Sequence, residues 1–157
     1  MTRSQYQTER GYEEPVAVQF SVFLANRVGQ LQELLDRLGQ EQVEPLGLSI
    51  VDSTDWAVIR IVFSEPDKAR AIFQKHRLAF TESRVLLVEL EGKDAMSEIC
   101  GHLVRAEINI HFAYPLTIRS HARPVMVFHV DDSVHARRVL VSHGLTLLGH
   151  EDLAEPT

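Results

Sequence analysis

Cysteine is almost absent from this chain, since Cys100 is the only one among 157 residues. A single cysteine excludes an internal disulfide framework and any Cys-x-x-Cys metal or redox motif. No apolar run approaches the roughly 18 residues that a membrane span needs, and residues 1–15 lack the apolar core of a secretory signal. We therefore expect a cytoplasmic protein that crosses no membrane and begins with a flexible arm at residues 1–15.

Basic residues are also scarce. Lysine and arginine number 16 against 22 aspartates and glutamates, which gives a formal net charge of −6. A protein that mainly holds a phosphate backbone needs a basic footprint, so this balance argues against nucleic acid as a partner. The apolar fraction of 45% is that of an ordinary globular protein and excludes global disorder.

What the chain does contain is an internal repeat. An apolar stripe with helical spacing recurs 65 residues later, and a second stripe recurs 67 residues later. The first pair of stripes is Leu31, Leu34, Leu35, Leu38 and Met96, Ile99, Cys100, Leu103; the second is Ala69, Ile72, Phe73 and Ala136, Val139, Leu140. The difference between the two offsets predicts a small insertion in the second copy, around residues 116–123.

Each copy has the periodicity of a β-α-β-β-α-β unit. The first copy predicts elements at 16–24, 30–39, 43–51, 56–63, 64–75 and 78–82, and the second predicts them at 84–90, 94–106, 108–114, 123–130, 133–142 and 145–149. Two helices on one face of an antiparallel four-stranded sheet form a ferredoxin-like sandwich. We predict an α+β protein with two tandem ferredoxin-like domains at 16–83 and 84–150 and a C-terminal tail at 151–157.

The strand predicted at 84–90 is apolar on both faces, which is typical of a strand that is buried on both sides. Val85 and Leu87 lie on one face, and Leu86, Val88 and Leu90 lie on the other. We expect a second sheet to cover one face, from within the chain or from another chain. The second apolar face, formed by Leu86, Val88 and Leu90, predicts a homodimer.

No catalytic constellation is visible, because the chain has neither a glycine-rich phosphate loop nor a nucleophile elbow. Histidine is the compositional oddity, since seven of the eight lie between His102 and His150. His111 and His129 fall on adjacent predicted strands and can face the same side, so they are the candidates for a metal site. No His-x-His or His-x-x-x-His spacing organises the histidines, and we predict neither enzymatic activity nor a cofactor.

The connection between the first strand and the first helix is the most informative segment. A glycine there permits unusual backbone dihedrals and close approach, and the unpaired N–H groups of a helix start suit a carboxylate. The candidate ligand-binding residues are Asn26, Arg27, Val28, Gly29, Gln30 and Leu31. The same stretch is equally typical of a tight turn with no ligand.

These residues resemble the Asn-x-Pro-Gly-x-Leu signature of the ACT domain family, with Val28 in place of the proline. Ile108-Asn109-Ile110 is similar to the family's entry into its second strand. The resemblance covers roughly residues 16–150 and matches small tandem ACT proteins. It implies a ferredoxin-like fold, an amino-acid effector bound at the strand–helix loop and domain interface, and regulation of amino-acid enzymes or transport.

The second copy departs from the signature. At an offset of 65 residues, Asp94 replaces Gly29 and Glu91 replaces Asn26. Two carboxylates would repel the carboxylate of an amino acid, so ligand binding is expected at the first loop alone. The same comparison predicts that Gly29→Asp leaves the fold intact.

Three interpretations therefore compete. The first is a regulatory module that senses an amino acid. The second is an interaction scaffold, or the regulatory subunit of an amino-acid biosynthetic enzyme such as acetolactate synthase, without ligand binding of its own. The third is a histidine-based metal-binding protein. Thermal stabilisation by amino acids would distinguish the first from the others.

Overall fold

The structure, a computed structural model, describes residues 17–25 and 28–153. The chain divides into two units, which we call the first unit (Val18–Ser83) and the second unit (from Arg84 onward). The strands are β1 (Ala17–Ala25), β2 (Pro45–Asp52), β3 (Trp56–Phe63), β4 (Ala79–Glu89), β5 (Ile110–Ser120), β6 (Arg123–Val130) and β7 (Leu147–Leu148). The helices are α1 (Gln30–Gln40), α2 (Pro66–Lys75), α3 (Ala95–Arg105), α4 (Ser133–Ser142) and α5 (His150–Leu153).

The first unit packs α1 and α2 against one face of an antiparallel sheet in which β3 lies between β1 and β2. Alternate residues of β1 point toward the helices, as the pleat of a strand requires. The core residues are Phe20, Val22, Leu24, Leu34, Leu38, Val43, Ile59, Ile61, Phe63, Ala69, Ile72 and Phe73, with Phe80 of β4 packed against them. Phe20 makes edge-on contacts with Phe63 and Phe73 at centroid distances of 5.8 and 5.4 Å, a favourable geometry for aromatic rings.

The second unit repeats this architecture. In its antiparallel sheet β6 pairs with β4 and β5, while β7 pairs with the other side of β4. The core residues are Leu86, Val88, Ile99, Leu103, Ile108, Phe128, Val130, Ala136, Leu140 and Leu147. The prediction of tandem β-α-β-β-α-β units of the ferredoxin-like type is confirmed.

Most element ends lie within one or two residues of the prediction, but the structure departs from it further at two places. The segments predicted at 78–82 and 84–90 form one continuous strand, β4, which runs through the polar pair Ser83-Arg84. The extra residues of the second copy do not form a loop. Instead they lengthen β5 to Ser120, where a two-residue turn leads directly into β6. An irregularity in the pairing between Pro115 and Arg119 absorbs the added length.

The burial of β4 corrects the argument for a homodimer. Leu86 and Val88 pack with the helices of their own unit, and Leu90 lies against the same core. Val85 and Leu87, on the opposite face, are also fully buried within a single chain. Leu86, Val88 and Leu90 are therefore not a surface that needs a partner chain.

The ends of the chain are described in part. The arm predicted at 1–15 lies outside the described residues, as do residues 154–157 of the predicted tail. Before that point the chain forms the single-turn helix α5, in which Leu153 is buried. Among the residues described, no helix is long and apolar enough to cross a membrane.

Candidate functional site

Gly29 shapes the connection between β1 and α1. It stands immediately before the helix with a φ of 88°, in the left-handed region that glycine adopts much more readily than residues with a Cβ. A Cβ at this position would meet no atom within 4 Å. The glycine is therefore required by the backbone conformation and not by crowding, and it leaves open space beside the helix start.

The other predicted site residues are divided among different environments. Val28 is fully exposed, whereas Leu31 packs against the core of the first unit. Asn26 and Arg27 lie outside the described residues. Gln30 borders a cavity.

This cavity, which we call the α1 pocket, has a volume of about 180 Å³. Its lining residues are Leu24, Gln30, Glu33, Leu34, Arg37 and Leu78. Arg37 Nη2 donates a hydrogen bond to Glu33 Oε1 at 2.6 Å, one helical turn away. The pocket thus combines an amide, a carboxylate and a guanidinium above leucine side chains. The sequence analysis did not identify Glu33 or Arg37.

A larger opening of about 360 Å³ lies at the other end of α1. Its lining residues are Leu35, Gly39, Gln42, Val43, Glu44 and Pro45. Glu44 is the one charged side chain among these described residues. The α1 pocket is smaller, but it holds opposite charges and adjoins the predicted loop, so it is the better candidate for recognition of a small polar ligand.

The corresponding connection in the second unit has a different backbone. Asp94 precedes α3 as Gly29 precedes α1, but its φ is −97°. The left-handed glycine here is Gly92, with a φ of 85°. An aspartate tolerated at position 94 therefore says nothing about aspartate at position 29, and the comparison with Asp94 no longer supports the prediction that Gly29→Asp leaves the fold intact.

Acidic side chains at the β4–α3 connection also contact residues at the β5–β6 turn. The carboxylate of Glu89 is completely buried and accepts hydrogen bonds from Ser120 Oγ and from His121 Nδ1, the latter at 2.9 Å. Arg123 donates to Glu91 and lies 3.5 Å from Glu89. No sequence pattern signalled this cluster, because the partners of Glu89 lie 31 to 34 residues after it in the chain.

The two metal candidates do lie on the same side. The rings of His111 and His129 are 5.2 Å apart, and His129 stacks on Phe112 at 4.7 Å. Across residues 17–25 and 28–153, no group of three or more histidine, cysteine, aspartate or glutamate side chains is arranged to hold a metal ion. Protein metal sites generally supply at least three ligands, so the geometry of the pair gives little support to a metal centre.

A second histidine pair joins α3 to the end of α4. The rings of His102 and His143 stack at 3.9 Å. Arg105 Nη2 donates to His102 Nδ1 at 2.9 Å, and His143 Nδ1 donates to the carbonyl of Val139 at 2.8 Å. The packing around the ring lowers the pKa of His102, and the adjacent His143 and Arg105 lower it further.

Comparison with solved structures supports the fold. The protein BT0572 from Bacteroides thetaiotaomicron is 25% identical over 90% of this chain and 97% of its own, with a TM-score of 0.81. The regulatory subunit of aspartate kinase from Thermus thermophilus is 8% identical over 81% of this chain and 92% of its own, with a TM-score of 0.55. A search of curated proteins gave no match.

The family comparison covers nearly the whole chain. A family model described as an ACT domain pair matches residues 16–156. This range contains both units, the β1–α1 connection and its counterpart before α3. The chain therefore belongs to the ACT domain pair family.

Proposed function

We propose that this chain is a non-catalytic regulatory module that binds an amino acid at the β1–α1 connection of the first unit. The observation that carries the proposal is the α1 pocket, which adjoins the left-handed turn at Gly29 and has Gln30 on its rim. Membership of the ACT domain pair family supports a regulatory role. The proposed binding segment is the one predicted from the sequence, Asn26 to Leu31.

The connection offers a carboxylate two kinds of partner. The first N–H groups of a helix have no carbonyl partner within the helix, and the positive end of the helix dipole adds to their attraction for an anion. Gly29 has no side chain, so a ligand can approach these groups closely. Arg37 supplies a cation on the same pocket. Binding at this place would stabilise the folded first unit.

A thermal-shift screen of the twenty amino acids against the full chain tests this function. A ligand that binds only the folded state raises the melting temperature, and its stabilisation grows with the logarithm of its concentration relative to the Kd. We expect one amino acid or a few to raise it, with and without divalent metal. Absence of any shift at millimolar concentration, confirmed by calorimetry, would contradict amino-acid sensing.

The second candidate is an interaction scaffold whose pocket takes no ligand, and an exposed apolar strand edge favours it. In the first unit β2 is paired with β3, and Leu48, Ile50 and Val51 on β2 and Trp56 on β3 are exposed. Residues 46–51 carry no charged side chain, although natural edge strands are usually protected by charge. The scaffold predicts a stable assembly with no thermal shift by amino acids.

We also propose that this β2 edge, and not Leu86, Val88 and Leu90, forms the homodimer expected from the sequence. Two copies of one strand can pair antiparallel about a two-fold axis, which gives each copy the same contacts. An amino-acid metabolic enzyme is the further partner that the family resemblance implies. Cytoplasmic location stays a prediction from the sequence.

Light scattering at micromolar concentration tests the dimer, which should have about twice the chain mass of 17.8 kDa. Val51→Lys places a charge on the apolar edge and should yield monomers. Val104→Lys is the matched control, because Val104 is an exposed valine on α3 of the second unit. A parent protein that is monomeric, or a Val51→Lys variant that remains dimeric, would exclude this interface.

A further inference from the structure

The two charged residues of the α1 pocket lie on one face of one helix. Glu33 and Arg37 are four residues apart, which places their Cβ atoms about 5–6 Å from each other. Their side chains retain 54% and 34% of their exposure, and they form an ion pair with each other. Both side chains line the pocket together with Gln30. A ligand in the pocket therefore meets both charges at once.

An exposed ion pair of this kind contributes little to stability, since water and salt compete for both partners. Breaking this ion pair so that both side chains contact a ligand instead therefore costs little free energy. A zwitterion can replace both halves of the pair, because its ammonium can contact Glu33 while one oxygen of its carboxylate accepts a hydrogen bond from the guanidinium of Arg37. The other oxygen remains available to the N–H groups at the start of α1. The pair then serves as a preformed complement to the two α-groups of an amino acid.

The rest of the described pocket limits the side chain of the ligand. Leu24, Leu34 and Leu78 supply apolar contacts, and the volume is about 180 Å³. Ligand sites for drug-sized molecules have volumes of about 300–1,000 Å³, so this pocket suits a much smaller ligand. With Glu33 and Arg37 engaged by the α-groups, the rest of the described lining, Leu24, Gln30, Leu34 and Leu78, has no charged side chain. A charged side chain of the ligand would lose its hydration here without gaining an ionic partner.

From this arrangement we infer that Glu33 and Arg37 determine specificity, and that the pocket selects small amino acids with uncharged side chains. The inference rests on the proposed function, since it concerns the ligand of the same site. It goes beyond that function by naming the residues that discriminate and the class of amino acid that they accept. Within this class, the affinity of each amino acid depends on how well its side chain fits the limited volume and contacts the leucine side chains.

Calorimetric titration of the full chain with L-alanine, L-serine, L-threonine and L-valine tests the inference, with L-aspartate, L-glutamate and L-lysine as charged probes. We expect at least one uncharged probe to bind at least tenfold more tightly than every charged one. Glu33→Gln and Arg37→Gln should each weaken that binding about tenfold or more. Each variant loses a charge-assisted hydrogen bond to the ligand, and a tenfold change in Kd is about 1.4 kcal/mol.

The matched control uses another exposed ion pair one turn apart. Lys68 Nζ lies 3.6 Å from Glu65 Oε2 at the start of α2. Neither residue is among the described residues that line the α1 pocket. Glu65→Gln should bind the uncharged probe like the parent. If Glu33→Gln and Arg37→Gln also bind like the parent, or if charged probes bind as tightly as uncharged ones, the inference fails while amino-acid sensing stands. If none of the twenty amino acids binds, the proposed function fails as well.

Discussion

The completely buried carboxylate of Glu89 accepts a hydrogen bond from His121 Nδ1 at 2.9 Å, across the end of the second unit's sheet. His121 and Ala122 form the whole turn between β5 and β6, and both have positive φ values, 52° and 62°. Turns of this kind usually contain glycine or asparagine, because a Cβ makes the left-handed conformation costly. We interpret the Glu89–His121 bond as the interaction that offsets this cost.

His121→Ala should therefore destabilise the protein more than its exposure suggests. It removes a charge-assisted hydrogen bond from a buried carboxylate, which costs about 1.5 kcal/mol, at the lower end of the usual range because the imidazole is half exposed. Ala122→Gly should stabilise the protein by about 1 kcal/mol, since it relieves left-handed strain. Urea unfolding measures both changes.

Glu41→Gln is the control for these variants. It breaks the exposed pair in which Lys75 Nζ lies 3.1 Å from Glu41 Oε1, and the change in stability should remain below about 1 kcal/mol. Equal effects of His121→Ala and Glu41→Gln would show that Glu89 does not depend on the imidazole, and the interpretation of the turn would have to be abandoned.

The pairing of Arg70 with Glu82 predicts a loss of stability in acid. Arg70 Nη2 and Nε donate to both oxygens of Glu82 at 2.6 and 2.9 Å. This hydrogen bonding lowers the pKa of Glu82 below its ordinary value of 4.5. Because the folded pKa is the lower one, the contribution is fully present above about pH 4.5 and disappears as the pH falls through the folded value.

Urea unfolding of the parent and of Glu82→Gln between about pH 6 and pH 3 measures this contribution. The parent should lose stability more steeply with falling pH, and the two proteins should converge at the acid end. Asp67→Asn is the control, because Asp67 contacts the same guanidinium but is 95% exposed. A parallel pH dependence for parent and Glu82→Gln would contradict the prediction.

Periodicity predicted most of the fold because each unit buries one face of its helices and strands. The segments 56–63, 123–130 and 133–142 agree with β3, β6 and α4 at both ends. The prediction was wrong at two places where a strand continues beyond its predicted end. The predicted strands ended at 82 and began again at 84, whereas β4 runs without a break from Ala79 to Glu89. The His121-Ala122 turn lacks glycine, so nothing in the local sequence marked it as a hairpin.

The candidate site was predictable only in its backbone. Gly29 before an apolar stripe indicated a special turn, and its φ of 88° agrees with that interpretation. Glu33 and Arg37 could not be distinguished from an ordinary solvated helix face, because acidic and basic residues four apart are common there. Their proximity to Leu24 and Leu78 depends on tertiary packing.

Gly29→Ala and Gly92→Ala form a matched pair of variants. Both glycines have left-handed φ values, 88° and 85°, and neither Cβ would meet an atom within 4 Å. Each substitution should cost about 1–2 kcal/mol through backbone strain alone. We expect similar losses in urea unfolding, but weaker amino-acid binding only for Gly29→Ala. Binding that is weakened equally by Gly92→Ala would argue against a site confined to the first unit.

The stacked pair of His102 and His143 predicts titration shifts of opposite sign. Desolvation of the ring lowers the pKa of His102 most, followed by the adjacent His143 and Arg105, while Glu98 raises it. Arg105→Gln should therefore raise the pKa of His102, but not fully to the ordinary value of 6.5, because the desolvation persists. Glu98→Gln should lower it further. Nuclear magnetic resonance titration of the imidazole measures each shift, and a fall in the pKa after Arg105→Gln would mean that the arginine does not act on this ring through its charge.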